Sequence, residues 1–304
     1  ALELADIPQR LLVIGGGYIG LELGSVYAAL GSRVTVVEMD EGLLPGADRD
    51  LVRPLARRLS TQFEAICTRT RVVSLEARED GLTAAFDGSD AAGPGVFDRV
   101  LLAVGRRPNS ENLGLDSTSV ITDERGHVVV DHAGRTAEPA ILAVGDVCGE
   151  PMLAHKATDE ARRVLAVIRG DDVPEAARVI PAVVFSDPEI AWCGLTEQQA
   201  RDEQRPVKIA RMPWAASGRA QTLGRTEGMT KLVLDPESEQ VLGVGIVGVG
   251  AGELIGSAVI AVQQEFTATT LAESIQAHPT LSETLAEAAE HSLGRAVHLL
   301  PRRR

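Results

Sequence analysis

Cysteine is scarce in this chain, and the few there are stand far apart. Cys67, Cys148 and Cys193 are odd in number and form no C-x-x-C or metal-ligand spacing. That excludes a disulfide scaffold and a cysteine metal centre. Each cysteine reads instead as a small buried hydrophobe in a reducing compartment, the cytoplasm. Basic charge is short as well: 30 Lys and Arg stand against 43 Asp and Glu, a net charge of −13. No basic stripe and no aromatic-basic cluster appears, and the terminal Arg302-Arg303-Arg304 reads as a solvated tail. Nucleic acid is therefore not an expected partner. A long uninterrupted apolar run is also missing. The nearest, Val241–Gln264, carries Glu253 in mid-span and six glycines between Gly243 and Gly256. It reads as strand, turn and helix, so no membrane partner is expected either. No signal peptide opens the sequence, and no set of residues has the spacing of a metal site.

What is present is organised around Leu11–Asp40, LLVIGGGYIGLELGSVYAALGSRVTVVEMD. An apolar run, Leu11–Ile14, breaks into Gly15-Gly16-Gly17-Tyr18-Ile19-Gly20. A helical pattern follows to about Leu30, and a second strand, Arg33–Val37, ends on Glu38. This is the order of a dinucleotide-binding βαβ unit. Gly15 permits the tight turn, Gly17 lets the backbone approach a pyrophosphate, and Gly20 lets helix and strand pack closely. The pyrophosphate would sit on free N–H groups at the helix start, where the dipole favours an anion. Glu38, eighteen residues past Gly20, is placed to accept hydrogen bonds from both ribose hydroxyls. It would repel a 2′-phosphate, and no arginine follows it closely, so NAD is expected rather than NADP.

At 304 residues the chain is long enough for two domains and part of a third. A helix at Asp48–Ser60 precedes strands at Glu64–Thr68, Arg71–Arg78, Leu82–Phe86 and Phe97–Val104, with Asp87–Gly95 as a hairpin connection. This order suits a parallel nucleotide-binding sheet with a small antiparallel insertion. Val72 is a candidate for the adenine side, although a plain core valine accounts for it equally well. Gly105 and Pro108 stop the Phe97–Val104 strand. A further strand, Ala140–Val144, ends in Gly145-Asp146, where an acid suits a polyol or ribose hydroxyl and an ordinary turn aspartate is the alternative. A helix at Ala154–Arg169 follows. From about Val179 the texture changes. Strands at Ala182–Phe185, Val207–Pro213, Lys231–Asp235 and Val241–Gly248 precede helices at Glu253–Phe266, Ala268–Ile275 and Leu281–Glu290, which indicates a separate α+β domain.

One further cluster, His278-Pro279-Thr280-Leu281-Ser282-Glu283, joins the last two helices. Glu283, in the first turn of the next helix, can fold back on the imidazole. A carboxylate on one ring nitrogen fixes the tautomer and raises the basicity of the other, which makes a general base. Thr280-x-x-Glu283 is equally the pattern of a capping box.

Taken together, the motifs resemble those of the pyridine nucleotide-disulfide oxidoreductases, and within that family the branch that oxidises dihydrolipoyl groups. The resemblance runs through GGGYIGLELG (15–24), VVEM (36–39), LLAVGRRPN (101–109), AVGDVCGEPMLAHKA (143–157), FSDPEIAWCGLTE (185–197) and HPTLSE (278–283). PMLAHKA with HPTLSE is the most specific part, since members that reduce glutathione depart from both. The resemblance implies two cofactors, NAD and FAD. Gly17, Gly20, Glu38 and Gly105 would hold NAD, and Tyr18 and Glu22 would lie where nicotinamide meets the flavin. Asp146 would hold the flavin ribitol, with the backbone near Ala154 approaching its ring. His278, oriented by Glu283, would take a proton from dihydrolipoamide in the active site of the other subunit of a homodimer. The lipoyl group would belong to a 2-oxoacid dehydrogenase or glycine cleavage complex.

The implied fold class is α/β. A doubly wound NAD-binding domain with an antiparallel insertion spans 1–105, part of an FAD-binding domain 106–178, and an α+β dimerisation domain 179–304. The family also carries an N-terminal FAD segment with its own G-x-G-x-x-G and a C-x-x-x-x-C redox pair, which this sequence does not contain. About one domain, on the order of 100–150 residues, is therefore expected upstream of Ala1, and the chain by itself is expected to be inactive. The alternatives are another disulfide reductase of the family, a non-catalytic NAD-binding or dimerising module, or half of a split enzyme. Glu38 and PMLAHKA argue against the first of these.

Overall fold

Alternating apolar segments build the first sheet of the computed structural model, which describes residues 1–91, 93–175 and 178–299. The terminal arginine run lies outside the described residues. Strand β1 (Arg10–Ile14), helix α1 (Tyr18–Ala29) and strand β2 (Arg33–Val37) form a βαβ unit with parallel register from Arg10 opposite Arg33 to Ile14 opposite Val37. Helix α2 (Arg49–Gln62) leads to β3 (Ala65–Cys67). Strands β4 (Thr70–Arg78), β5 (Gly81–Gly88) and β6 (Gly95–Phe97) form a three-stranded antiparallel sheet, and β7 (Arg99–Leu102) returns to the parallel sheet, whose order is β3-β2-β1-β7.

The strand expected at Phe97–Val104 is therefore two strands in two sheets. The break falls at Asp98. Its carboxylate accepts from the Arg10 backbone N–H at 2.8 Å and from Arg10 Nη2 at 2.7 Å, which turns the chain toward the edge of β1. Leu12, Val37, Cys67, Ala84 and Phe97 form the core between the two sheets, and Val72 packs against it.

Residues 105–180 form a compact unit of their own. It holds 3-10 turns at Leu115–Ser117 and Gly145–Cys148 and helix α3 (Ala154–Arg169). The strand expected at Ala140–Val144 is not a strand: its ladder is a single bridge, Arg135 opposite Leu142. An apolar stretch becomes a strand only where a neighbour supplies a run of backbone partners, and none of the described residues does so here.

The other compact unit joins residues 1–104 to residues 181–304. Its later half contains β8 (Ala182–Val184), β9 (Glu189–Gly194), α4 (Glu197–Asp202), β10 (Lys208–Pro213), α5 (Gly218–Leu223), β11 (Met229–Leu234) and β12 (Val241–Gly248), followed by α6 (Ala251–Gln263), α7 (Ala268–Glu273) and α8 (Glu283–Ser292). The strands form one antiparallel sheet, β10-β11-β12-β9-β8. The tempting apolar span is thus β12, a glycine turn and α6, and no helix among the described residues is long and apolar enough to cross a membrane. Val184, Ile190 and Val247 join Leu11, Val13, Leu51 and Leu55 in one core. At Gly245 a Cβ would come within 2.4 Å of Leu51, so β12 lies directly on α2.

Candidate functional site

The glycine loop after β1 is built by steric necessity. Gly15 has φ +108°, and a Cβ there would meet the Ala103 carbonyl oxygen at 2.4 Å. A Cβ on Gly20 would lie 2.1 Å from the Gly15 oxygen, so helix α1 could not close on the turn. Gly17 is different: a Cβ there would touch no protein atom. The space in front of Gly17 is open. The start of α1 has no side-chain cap and no acid in its first turn, so the helix brings no anion of its own. Backbone donors, a positive dipole end and open space fit a pyrophosphate.

Glu38 closes the other side. Its Oε2 accepts the Gly16 N–H at 2.6 Å and its Oε1 accepts the Asp40 N–H at 2.8 Å, with the residue only 9% exposed. Each carboxylate oxygen has a second lone-pair direction, so ribose hydroxyls can be added without breaking either bond. The structure therefore brings Gly15, Gly16, Gly17, Gly20 and Glu38 together around one opening. Val72 is partly buried and packs against the core between the sheets.

Tyr18 is about one third exposed, and Glu22, one turn later on α1, accepts the Phe185 N–H at 2.9 Å. Phe185 is 70% exposed. The strand expected at Ala182–Phe185 ends at Val184, which leaves Phe185 just past it. Its exposure beside Glu22 is visible only once α1 and β8 are docked.

His278 lies in the α7–α8 connection, where the His278–Pro279 peptide is cis. Its Nδ1 is 2.8 Å from Glu283 Oε1, and Glu283 Oε2 accepts the Thr280 N–H at 2.7 Å. A carboxylate only accepts, so Nδ1 carries the proton and Nε2 presents a lone pair. The His278 side chain is 74% exposed and the Glu283 side chain 19%. Burial pushes the Glu283 carboxyl up, but the Thr280 N–H and the histidine outweigh it and hold the group below the usual carboxylate range. Thr284, fully buried next door, shares a hydrogen bond with Thr230 of β11 at 2.8 Å, which anchors the first turn of α8 to the sheet. The arrangement is a fixed glutamate, an oriented imidazole and a free basic nitrogen, which is a general-base geometry.

In the smaller unit Asp146 sits on the Gly145–Cys148 turn with its side chain 46% exposed. Arg106 Nη1 donates to Asp146 Oδ2 at 2.9 Å, and Arg106 Nη2 donates to the Met152 carbonyl at 2.5 Å. Helix α3 begins at an exposed Ala154 with no side-chain cap and no acid in its first turn. An exposed carboxylate on a turn beside an uncapped helix start fits a polyol and an electron-rich group, the two features of a flavin ribityl arm and ring. Gly105 has φ +124° with open space around a Cβ, so its backbone conformation alone demands glycine. Arg106 was missed because an arginine in a GRRPN turn carries no partner signal in sequence. Of the thiols, Cys67 and Cys193 are buried, and Cys148 is half-buried. Asp48, Asp50 and Glu197 converge as a metal site would, but the Lys231 ammonium fills their centre, at 2.6 Å from each aspartate.

Comparison with known proteins adds the following. The family described as pyridine nucleotide-disulphide oxidoreductase matches residues 1–161, and its dimerisation domain matches residues 180–289. A dihydrolipoyl dehydrogenase of Vibrio parahaemolyticus is 42% identical over 291 residues, covering 95% of this chain and 61% of the relative. One of Geobacillus stearothermophilus is 40% identical, covering 99% and 64%. Among solved structures, LpdA from Mycobacterium tuberculosis superposes with a TM-score of 0.86 at 28% identity, covering 95% of this chain and 62% of that one. The HOCl-induced flavoprotein disulfide reductase RclA from Escherichia coli also gives 0.86, at 29% identity, with 95% and 66% covered. The chain thus spans about three fifths of the length of the curated relatives it matches.

Proposed function

Because the chain belongs to the pyridine nucleotide-disulphide oxidoreductase family, we propose that it is the NAD-binding and dimerising part of a dihydrolipoyl dehydrogenase, with a share of its flavin site. The reaction consumes a dihydrolipoyl dithiol and NAD⁺ and yields the cyclic disulfide, NADH and one proton. The observation that carries this reading is the His278–Glu283 pair, 2.8 Å apart with Nε2 unengaged among the described residues. A thiol becomes a nucleophile only as thiolate, and Nε2 is the group that accepts its proton. The anionic Glu283 stabilises the imidazolium that results.

The remaining residues bind and orient. The Gly15–Gly20 loop holds the NAD pyrophosphate, and Glu38 holds the adenosine ribose and repels a 2′-phosphate. Gly105 borders the NAD site, and Tyr18 and Glu22 flank the nicotinamide. Asp146 and the α3 start at Ala154 hold the flavin, which supplies two-electron transfer between dithiol and nicotinamide when bound. Residues 1–105, 106–178 and 179–304 serve as NAD-binding, flavin-binding and dimerisation parts. The working form is a homodimer acting on lipoyl groups of a 2-oxoacid dehydrogenase or glycine cleavage complex.

Stopped-flow measurement of the two half-reactions tests this on a full-length protein that includes this chain. His278→Gln should slow dithiol oxidation by about 10²–10⁴-fold, the usual contribution of a positioned base. Reduction of the flavin by NADH should stay nearly unchanged. Equal slowing of both half-reactions would refute the base assignment.

A further inference from the structure

The turn that carries Asp146 is held at both ends by one buried ion pair. Lys156 and Glu160 stand one helical turn apart on α3, with Nζ 2.9 Å from Oε1. Their side chains are only 9% and 19% exposed, which is unusual for an i,i+4 pair, since such pairs ordinarily lie on solvent. Each also bonds the same turn. Glu160 Oε2 accepts the Gly145 N–H at 2.7 Å, at the start of the turn. Lys156 Nζ donates to the Gly149 carbonyl at 3.1 Å, just past its end. Gly145 and Gly149 both have positive φ, at +83° and +103°, so the turn has little intrinsic preference to keep its shape. From outside α3 its backbone takes part in one further bond among the described residues, from the Val128 N–H to the Val147 carbonyl at 2.8 Å.

We infer that Lys156 and Glu160 are positioning residues that set flavin affinity through Asp146, by locking its turn to the first turns of α3. Burying a lysine and a glutamate is costly unless every remaining donor and acceptor is used. Here each also bonds one of the two glycines that bracket Asp146. The pair thereby fixes the separation between the Asp146 carboxylate and the uncapped start of α3, the two features assigned to the flavin above. Cys148, inside the turn, feels both charges: burial raises its thiol most, Glu160 raises it further and Lys156 opposes them. This inference rests on the proposed flavin site.

A double-mutant cycle in the full-length protein tests it, reading the FAD dissociation constant of the apoprotein by fluorescence quenching. Lys156→Met and Asp146→Asn should each weaken FAD by about tenfold or more, the scale of one lost charge-assisted hydrogen bond. The double variant should be no weaker than Asp146→Asn alone, because the lysine acts through the aspartate. Additive losses, or unchanged affinity in Lys156→Met, would overturn the inference. Glu160→Gln keeps the shape and one acceptor. It provides the same cycle if Lys156→Met does not fold, with a smaller loss expected and additivity again overturning. Amide exchange at Gly145 in the apoprotein reads the turn without flavin: it should quicken in either variant, and unchanged exchange would refute the clamp. A wild-type protein that binds no FAD would instead refute the proposed function on which the inference stands.

Discussion

Replacing Lys231 with methionine should destabilise the protein severely without touching the proposed chemistry. Lys231 sits mid-strand in β11, opposite Gly245 and Arg211, with its side chain 1% exposed. Its Nζ lies 2.6 Å from Asp48, 2.6 Å from Asp50 and 3.2 Å from Glu197. Arg211 supports the same group, bonding Asp50 at 2.7 Å and also Glu197. Asp48 accepts the backbone N–H groups of Glu197 and Gln198, and so ties the start of α2 to α4. Methionine preserves the volume but leaves three converging carboxylates with only the half-exposed Arg211 and the exposed Arg201 as cations among the described residues. Breaking a buried ion group by removing one partner costs about 3–5 kcal/mol. At about 2–4 °C per kcal/mol for domains of this size, that is roughly 6–20 °C in Tm.

Scanning calorimetry at pH 7.5 is the assay, and acid supplies an internal control. Burial pushes the Asp50 carboxyl up, yet Lys231 and Arg211 outweigh this and leave it below its ordinary value. A group with a depressed folded pKa contributes stability that is present above the unfolded pKa and lost as pH falls through the folded one. The gap between wild type and variant should therefore narrow below about pH 4. Adding Asp50→Asn to the Lys231→Met variant should recover part of the loss. A gap under about 2 °C at pH 7.5, or one that does not change in acid, would refute the reasoning.

Three further outcomes follow from the same geometry. Glu38→Ala should weaken NADH binding by about 1.5–3 kcal/mol and erase any preference over NADPH; equal affinities of the two nucleotides for wild type, measured by titration, would remove the basis for NAD selectivity. Glu283→Gln should slow dithiol oxidation less than His278→Gln does, because the imidazole remains and loses only its anionic partner; single-turnover rates on the two variants decide the order. Burial pushes the Cys193 thiol up to about 12, so iodoacetamide at pH 8 should leave it unmodified in the folded protein and label it after denaturation, read by mass spectrometry.

The parts of the fold that sequence made legible are those where one residue type answers one local demand. Gly15 and Gly20 were readable because only glycine survives carbonyl oxygens at 2.4 and 2.1 Å, and the βαβ pattern around them shows where that crowding must arise. The parts that were not legible depend on what a segment meets. Ala140–Val144 has the composition of a strand, but composition does not name a ladder partner. Phe97–Val104 reads as one strand because nothing local marks Asp98 as the partner of Arg10, 88 residues earlier. Lys231 is the extreme case. In a strand pattern a lysine signals a solvent face, and only the docking of α2 and α4 against β11 turns it into the centre of a buried ion group.

Glu283 shows how the fold decides between two readings of one motif. Thr280-x-x-Glu283 left open whether the glutamate caps a helix or orients a base. Its two oxygens divide the work: Oε2 accepts the Thr280 N–H, and Oε1 accepts from His278 Nδ1. This is not a capping box: α8 begins at Glu283 itself with Ser282 at its N-cap and no side-chain cap, and the Thr280 hydroxyl donates to the Ala277 carbonyl at 2.8 Å. The Thr280 bond is what makes the pairing precise. A glutamate free to rotate would lose side-chain entropy on holding the imidazole, whereas one already fixed by the Thr280 N–H holds the ring at little further cost. The backbone bond also helps keep the carboxyl ionised, so the group that stabilises an imidazolium keeps its charge while the histidine carries a proton. The turn before α8 and the base are thus one device, and a substitution at Glu283 should register in both amide exchange at Thr280 and the rate of the thiol step.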